Sequence, residues 1–396
     1  MFLSLLKIKT NLETVAVMNK KTILKLKENS GFKRINDLIN FYQKKSSSKY
    51  FYKPVGIEIE ITNDCNLKCQ GCPIIWDQKE NANDVLTTKD YINILKDCSK
   101  QGIFAYSLTG GETFLKFNTI KEIISANHEL DLYKLNTNGS FFKSAVCTEK
   151  YFLELKNIGF VSKNKHIKPV LVVSMGQQTL AGVPIENIYN AVTKFIEIFK
   201  NEAIFSLNIT DQNLQLAEKI FQDFKKMFFY KKKKVLLEND IEVRFFSLNY
   251  YPTLKRLGLP LGDKINIKYL LEKYNQKHLS GGCFNISHKN TSSNNCAETL
   301  IPRCLLRPNG MLYSCPGFNL THCLGDLKKK SLNNILQQAN RNLILKKVFT
   351  DNLTGLYKLA QKKDPSLNKL KLEENYEPCD LCQFLSHKIK EIDESI

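Results

Sequence analysis

Val55-Gly56-Ile57-Glu58-Ile59-Glu60-Ile61-Thr62-Asn63-Asp64-Cys65-Asn66-Leu67-Lys68-Cys69-Gln70-Gly71-Cys72 is the stretch whose reading decides the fold. Its first half alternates apolar and polar residues with a period of two, which predicts a strand over Val55–Thr62. Its second half is a C-x3-C-x2-C loop at the end of that strand. Three thiolates in one short loop suit three corners of an iron–sulfur cube and leave the fourth iron without a protein ligand. A zinc knuckle is the plainer alternative, but zinc favours four protein ligands in paired spacings.

Outward from this loop the chain alternates strands and helices. Thr87–Lys100 reads as a helix with Tyr91, Leu95 and Cys98 on one face and Thr87 or Thr88 as its N-cap. Ile103–Thr109 is the next strand, followed by Gly110-Gly111-Glu112 and a helix over Thr119–Asn127. Tyr133–Thr137 leads into Asn138-Gly139 and a helix through Tyr151–Lys156. Val170–Ser174, the helix Ile185–Lys200, Phe205–Ile209, the helix Leu214–Phe228 and Ile241–Leu248 continue the pattern. Six βα units in about 200 residues predict an α/β fold, a partial (β/α)6 TIM-like barrel with sites at the C-terminal ends of its strands.

The 396 residues carry 58 Lys+Arg against 39 Asp+Glu, a net charge of +19. That charge invites a nucleic-acid reading. Its carriers are almost all lysine, the arginines being Arg34, Arg244, Arg256, Arg303, Arg307 and Arg341. Base and phosphate recognition favours the planar arginine fork, so nucleic acid is the weaker reading. The apolar run Met1–Leu6 is too short for a signal h-region, and no stretch is long enough to span a bilayer. A cytoplasmic chain without a membrane partner is expected. Its 12 cysteines then point to metal or redox chemistry rather than disulfides.

The period breaks after Tyr250. Arg303–Cys315 reads as a β-hairpin about Asn309-Gly310, and a two-residue turn would set Cys304 directly across from Cys315. The expected division is an N-terminal extension over 1–54, a barrel over 55–250, a connector over 251–295 and a small cysteine-rich α+β C-terminal domain over 296–396. Cys98 and Cys147 fall on helical faces and are expected to be buried apolar residues.

Several motifs in order resemble the radical S-adenosylmethionine enzymes over Val55–Leu248. Thr62-Asn63-Asp64-Cys65-Asn66-Leu67-Lys68-Cys69 with Cys72 is similar to the family's cluster loop. The resemblance implies that Cys65, Cys69 and Cys72 bind a 4Fe–4S cluster whose open iron is chelated by S-adenosylmethionine. Gly110-Gly111-Glu112 resembles the motif that meets the methionyl amino group. By the same resemblance Asn138, Ser174 and Asn208 line the cofactor, with strand-end capping as the plainer reading of the first two. Gly71 stands where the family often has an aromatic residue, and Trp76 follows shortly. Met175-Gly176 follows Ser174, where an acidic residue is frequent.

Gly310–Cys315 with Leu324-Gly325-Asp326-Leu327 resembles the SPASM/twitch extensions that hold auxiliary clusters, the one-cluster twitch form fitting better. The resemblance implies Cys304, Cys315, Cys379 and Cys382 as ligands of an auxiliary 4Fe–4S cluster. Cys296 competes with Cys304, Cys283 and Cys323 are spares, and a zinc ribbon is the alternative.

The implied activity is reductive cleavage of S-adenosylmethionine to a 5′-deoxyadenosyl radical that abstracts hydrogen, in an oxidoreductase of peptide or protein maturation. The implied partners are a peptide or protein substrate and an electron donor such as flavodoxin or ferredoxin. A full winged-helix leader-binding domain needs more than the 54 residues before the barrel, so peptide recognition is expected elsewhere. A small-molecule radical dehydrogenase, an RNA-modifying radical enzyme and a non-catalytic metal-binding module are the rival readings. No acid, base or radical relay is assigned.

Overall fold

Isoleucine alternating with glutamate makes Gly56–Glu60 (β1) a strand buried along its whole length. The structure, a computed structural model, describes residues 52, 54–69, 72, 85–127, 129–161, 169–199, 203–209, 219, 223, 241–245, 303–316, 323–369, 382 and 384–390. After β1 come α1 (Thr88–Lys100), β2 (Ala105–Thr109), a 3-10 turn (Thr113–Lys116) running into α2 (Phe117–Ala126), β3 (Asp131–Thr137) and α3 (Ala145–Asn157). Then follow β4 (Val170–Met175), a helical turn (Gln177–Leu180), α4 (Ile185–Phe199), β5 (Ala203–Ile209) and β6 (Ile241–Phe245). The C-terminal part holds β7 (Arg303–Leu306), β8 (Met311–Tyr313), β9 (Cys323–Asp326), α5 (Leu332–Ala339) and α6 (Leu343–Lys363). The expected helix Leu214–Phe228 and connector lie outside the described residues, apart from helical Lys219 and Asp223.

The described residues fall into two compact units, one within 57–281 and 305–312, the other within 1–56, 282–304 and 313–396. In the larger unit the strands lie in the order β6-β5-β4-β3-β2-β1-β7-β8. β2 through β6 pair in parallel, each with its successor in sequence. That unreversed order, with helices in the crossovers, is the partial α/β barrel expected from the periodicity.

One face of the sheet is apolar. Ile57, Ile59, Leu108, Leu135, Leu171 and Val173 are buried there, as are Leu95, Ile120, Ile123, Phe152, Ile188 and Phe195 of α1–α4. α1 packs on α2, α3 on α4, and α4 on β4 and β5. The other face is polar. Glu58 takes an ion pair from Lys134 at 3.0 Å, with side chains only 11% and 13% exposed. Asn136 donates to Thr109 Oγ1 at 3.0 Å, and Ser107, register-paired with Lys134, is fully buried. Glutamates can alternate along a buried strand because this inner face supplies the partners that buried charge requires.

Local chemistry sets the element ends. Thr87 caps α1: its hydroxyl accepts from Asp90 N and the Asp90 carboxylate accepts from Thr87 N, a capping box. β3 starts two residues before its expected beginning, because Asp131 N already donates to Phe104 O at 2.8 Å.

The hairpin departs from the expected register. Gly310 has φ +87°, its N donates to Arg307 O at 3.0 Å, and Arg307 N donates to Met311 O at 3.0 Å. The loop is therefore the three residues Pro308-Asn309-Gly310, a turn closed by a left-handed glycine. With Arg307 paired to Met311, the residue across from Cys304 is Ser314 rather than Cys315. A proline ahead of Asn309-Gly310 favours this turn, because its fixed φ suits the first turn position.

In the smaller unit, a Cβ on Gly325 (φ +152°) would lie 3.2 Å from Ile335 Cγ1, so the glycine lets β9 approach α5. Tyr52 is stapled into the same unit. The Asn340 carboxamide accepts from Tyr52 N and donates to Tyr52 O, both at 2.9 Å. The Tyr52 hydroxyl donates to Ser314 O at 2.9 Å, and its ring meets that of Phe349 at 4.9 Å. Among the described residues no helix is long and apolar enough to cross a membrane.

Candidate metal centre

The cysteine loop leaves the C-terminal end of β1 and is zipped to the loop after β2. Ile61 N donates to Thr109 O at 2.9 Å, Gly111 N to Thr62 O at 2.7 Å and Glu112 N to Asp64 O at 2.9 Å. This approach requires glycine twice. A Cβ on Gly110 (φ +144°) would stand 2.5 Å from Thr62 O, and one on Gly111 2.1 Å from Asp64 O. What the glycine pair approaches closely here is the backbone that presents the cysteines.

Cys65, Cys69 and Cys72 are half-buried and not in disulfides. Cys65 Sγ accepts from Leu67 N at 3.4 Å and from Asn138 Nδ2 at 3.7 Å. Cys72 N donates to Cys69 O at 3.3 Å, closing the turn between the second and third cysteines. Burial pushes the Cys69 thiol up to about 12, and negative charge on Cys72 and then Cys65 adds to the effect. Cys65 is also raised by burial, against backbone N–H groups and Asn138 that favour its thiolate. A thiol whose proton affinity is raised by burial and by two neighbouring cysteines belongs to a site that favours a cation in place of its protons. Their softness, and N–H donors aimed at sulfur, fit an iron–sulfur cluster. Among the described residues no three His, Cys, Asp or Glu side chains converge on a single metal ion. A cubane binds each thiolate to a different iron and needs a wider spacing than a tetrahedral ion.

Glu112 is fully buried. Its Oε2 accepts from Asn138 N at 2.6 Å, and its Oε1 from Thr137 Oγ1 at 2.8 Å and Phe114 N at 3.0 Å. Burial outweighs these three donors and raises its carboxyl to about 7. Asn138 is buried at the end of β3. Besides Cys65, its Nδ2 reaches Asn66 Oδ1 at 3.0 Å, and its Oδ1 accepts from Ser140 N at 2.9 Å. Asn66 in turn donates to Ser140 Oγ at 2.8 Å. Asp64 is exposed and paired with Lys116 at 3.4 Å.

The structure thus brings Cys65, Gly110, Gly111, Glu112 and Asn138 into one hydrogen-bonded knot. Ser174 is half-buried on β4 and register-paired with Ser206. It lies one step beyond the Thr137–Val173 pair, level with Asn138. Asn208 lies on β5 and pairs in register with Arg244 of β6. Asn66, Thr137 and Ser140 belong to the knot and are absent from the sequence-derived set. Their signal was their closeness to Cys65 and to the Asn138-Gly139 turn.

The C-terminal cysteines are placed less closely. Cys304 is fully buried on β7 and its thiol donates to Gly56 O at 3.6 Å. Cys315 and Cys382 are half-buried and Cys323 is exposed. Cys283, Cys296 and Cys379, like Trp76 and Gly71, lie outside the described residues. Cys98 is buried as expected. Cys147 is only half-buried, because it sits in the first turn of α3 where Ser144 Oγ caps its N–H and its thiol turns to Phe141 O.

Residues 59–161 match the profile of the 4Fe-4S single cluster domain. Among solved structures, the chain is similar to Streptococcus suis SuiB bound to precursor peptide SuiA. The identity is 17% and the TM-score 0.51, over 78% of this chain and 69% of that one. It is also similar to anSMEcpe with bound AdoMet, at 15% identity and a TM-score of 0.47 over 86% of this chain and 97% of that one. No curated protein sequence matches it. The profile match runs from the end of β1 through α3, and the fold is similar to that of SuiB.

Proposed function

We propose that the protein is a radical S-adenosylmethionine enzyme that modifies a peptide or protein. The observation that carries this reading is the knot at the C-terminal edge of the barrel. Three half-buried cysteines follow β1, and the backbone leading into them is bound at Thr62 and Asp64 by Gly111 and Glu112.

Cys65, Cys69 and Cys72 would hold the cluster. When bound, such a cluster would supply reductive cleavage of S-adenosylmethionine for hydrogen abstraction from the substrate. The chain's own part is positioning and shielding. Gly110 and Gly111 fix the loop's path. Asn138, Ser174 and Asn208 stand at the strand ends where the methionine and ribose groups would lie. Cys315, Cys379 and Cys382, with Cys296 or Cys304, would hold the auxiliary cluster. A peptide substrate is supported by the likeness to SuiB, a protein crystallised with a precursor peptide. An acidic one-electron carrier such as flavodoxin or ferredoxin suits a chain of net charge +19.

The test is anaerobic reconstitution with iron and sulfide, followed by S-adenosylmethionine, a reductant and candidate peptides. The expected outcome is 5′-deoxyadenosine formed together with a peptide mass change, both abolished in C65A, C69A and C72A. Zinc as the only bound metal, or a 4Fe–4S protein that forms no deoxyadenosine, would overturn the reading.

A further inference from the structure

We propose that Asn138 is a positioning residue that donates a hydrogen bond from its carboxamide to the Cys65 thiolate and thereby raises the potential of the cluster. In the same proposal Glu112 sets Asn138 in place. The proposal rests on the reading of Cys65, Cys69 and Cys72 as cluster ligands.

The orientation of the carboxamide follows from its neighbours. Ser140 N–H is a donor and binds Asn138 Oδ1 at 2.9 Å, so the opposite end, facing Cys65 Sγ at 3.7 Å, is the NH2 group. Asn66 Oδ1, an acceptor at 3.0 Å, holds the same NH2 group from the other side. The backbone below is equally fixed. Glu112 Oε2 accepts from Asn138 N at 2.6 Å, while its Oε1 ties down Thr137 and Phe114. Glu112 is 0% exposed and Asn138 6%, so water does not compete for these bonds.

The Glu112 carboxylate thus holds the backbone and side chain at the end of β3, and the Asn138 NH2 group carries that placement to Cys65 and Asn66. A donor aimed at a ligating sulfur stabilises the additional negative charge of the reduced cluster and makes reduction easier. Leu67 N–H at 3.4 Å acts on the same sulfur from the loop itself. Asn138 is the part of this shell that a side-chain substitution can remove.

The experiment is an EPR-monitored redox titration of the reconstituted full-length protein without S-adenosylmethionine. N138A and E112Q are expected to retain iron and to be harder to reduce. About a tenfold lower reduced-to-oxidised ratio at fixed potential is expected in N138A, ~59 mV for one electron. N138D keeps the acceptor for Ser140 N but sets a carboxylate against the thiolate, and is expected to shift at least as far. Wild-type protein labelled with 15N at the asparagine side-chain nitrogen is expected to show a nitrogen coupling to the reduced cluster, and this holds the test if a variant fails to load. Variants that titrate with wild-type midpoints, or no such coupling, would overturn the proposal. Wild-type protein with no 4Fe–4S signal at all would instead overturn the reading beneath it.

Discussion

At Gly111 a single hydrogen atom decides how closely the cysteine loop can be approached. An added methyl would sit 2.1 Å from Asp64 O and 2.6 Å from Asp64 C, both backbone atoms that cannot turn aside. The G111A variant should therefore open the bonds from Gly111 N and Glu112 N to the cysteine loop. We expect it to lose roughly 1–3 kcal/mol of stability and most of its cluster, measured as iron per chain and chemical unfolding midpoint. Glu112 makes the second prediction. Its folded carboxyl binds its proton more tightly than an unfolded one, with a pKa near 7 instead of 4.5. Between those values the folded chain holds more protons, so cluster-free protein should lose stability as pH rises from about 4.5 to 7. The shift corresponds to roughly 3 kcal/mol at most. Comparing unfolding midpoints of wild type and E112Q across that window isolates the effect: the wild type should slope downward where E112Q is flat. Equal slopes would mean that the carboxylate is not held as described.

At the scale of elements, what was legible is what local chemistry decides. Alternation in Val55–Thr62, the 3.6-residue period of the helices and the Thr87 cap all survive into the structure, because each depends on neighbours a few residues away. T87A should cost about 1 kcal/mol through loss of the capping box. The polar inner face was not legible. Glu58 needs Lys134 and Thr109 needs Asn136, and no pattern within β1 or β2 announces a partner on another strand. The knot was half legible: Cys65, Glu112 and Asn138 stand out as motif residues, but their mutual bonds cross three loops. The hairpin failed for a different reason, a three-residue loop where Asn309-Gly310 suggested two. That single residue moves Ser314 opposite Cys304 and sets Cys315 one step out of register. Cys304 is moreover buried against Gly56 O, as a core residue would be. We therefore expect C304A to keep its iron content and lose stability, by roughly 1–2 kcal/mol. C296A and C315A should instead lose about four irons each. Loss of iron in C304A with retention in C296A would reverse the assignment.

On the scale of the whole molecule, net charge and fold bear on the same step. The chain carries 58 basic against 39 acidic residues, mostly as lysine, and among the described residues Lys68 is exposed within the cysteine loop and Lys116 is paired to Asp64. Such a field does not select a substrate, but it raises the encounter rate with an acidic protein. The proposed electron carrier needs only brief contact, and the cysteine loop exposes Asp64, Asn66 and Lys68. The rate-limiting encounter should then respond to ionic strength, because the Debye length shrinks from about 30 Å at 0.01 M to about 10 Å at 0.1 M salt. We expect the second-order rate of cluster reduction by reduced flavodoxin to fall at least severalfold across that range. Reduction by dithionite, a small dianion, should fall less than reduction by flavodoxin. Stopped-flow absorbance of the cluster measures both. A flavodoxin rate indifferent to salt would mean that the lysines steer nothing, and that +19 is a bias of composition without a role in electron delivery.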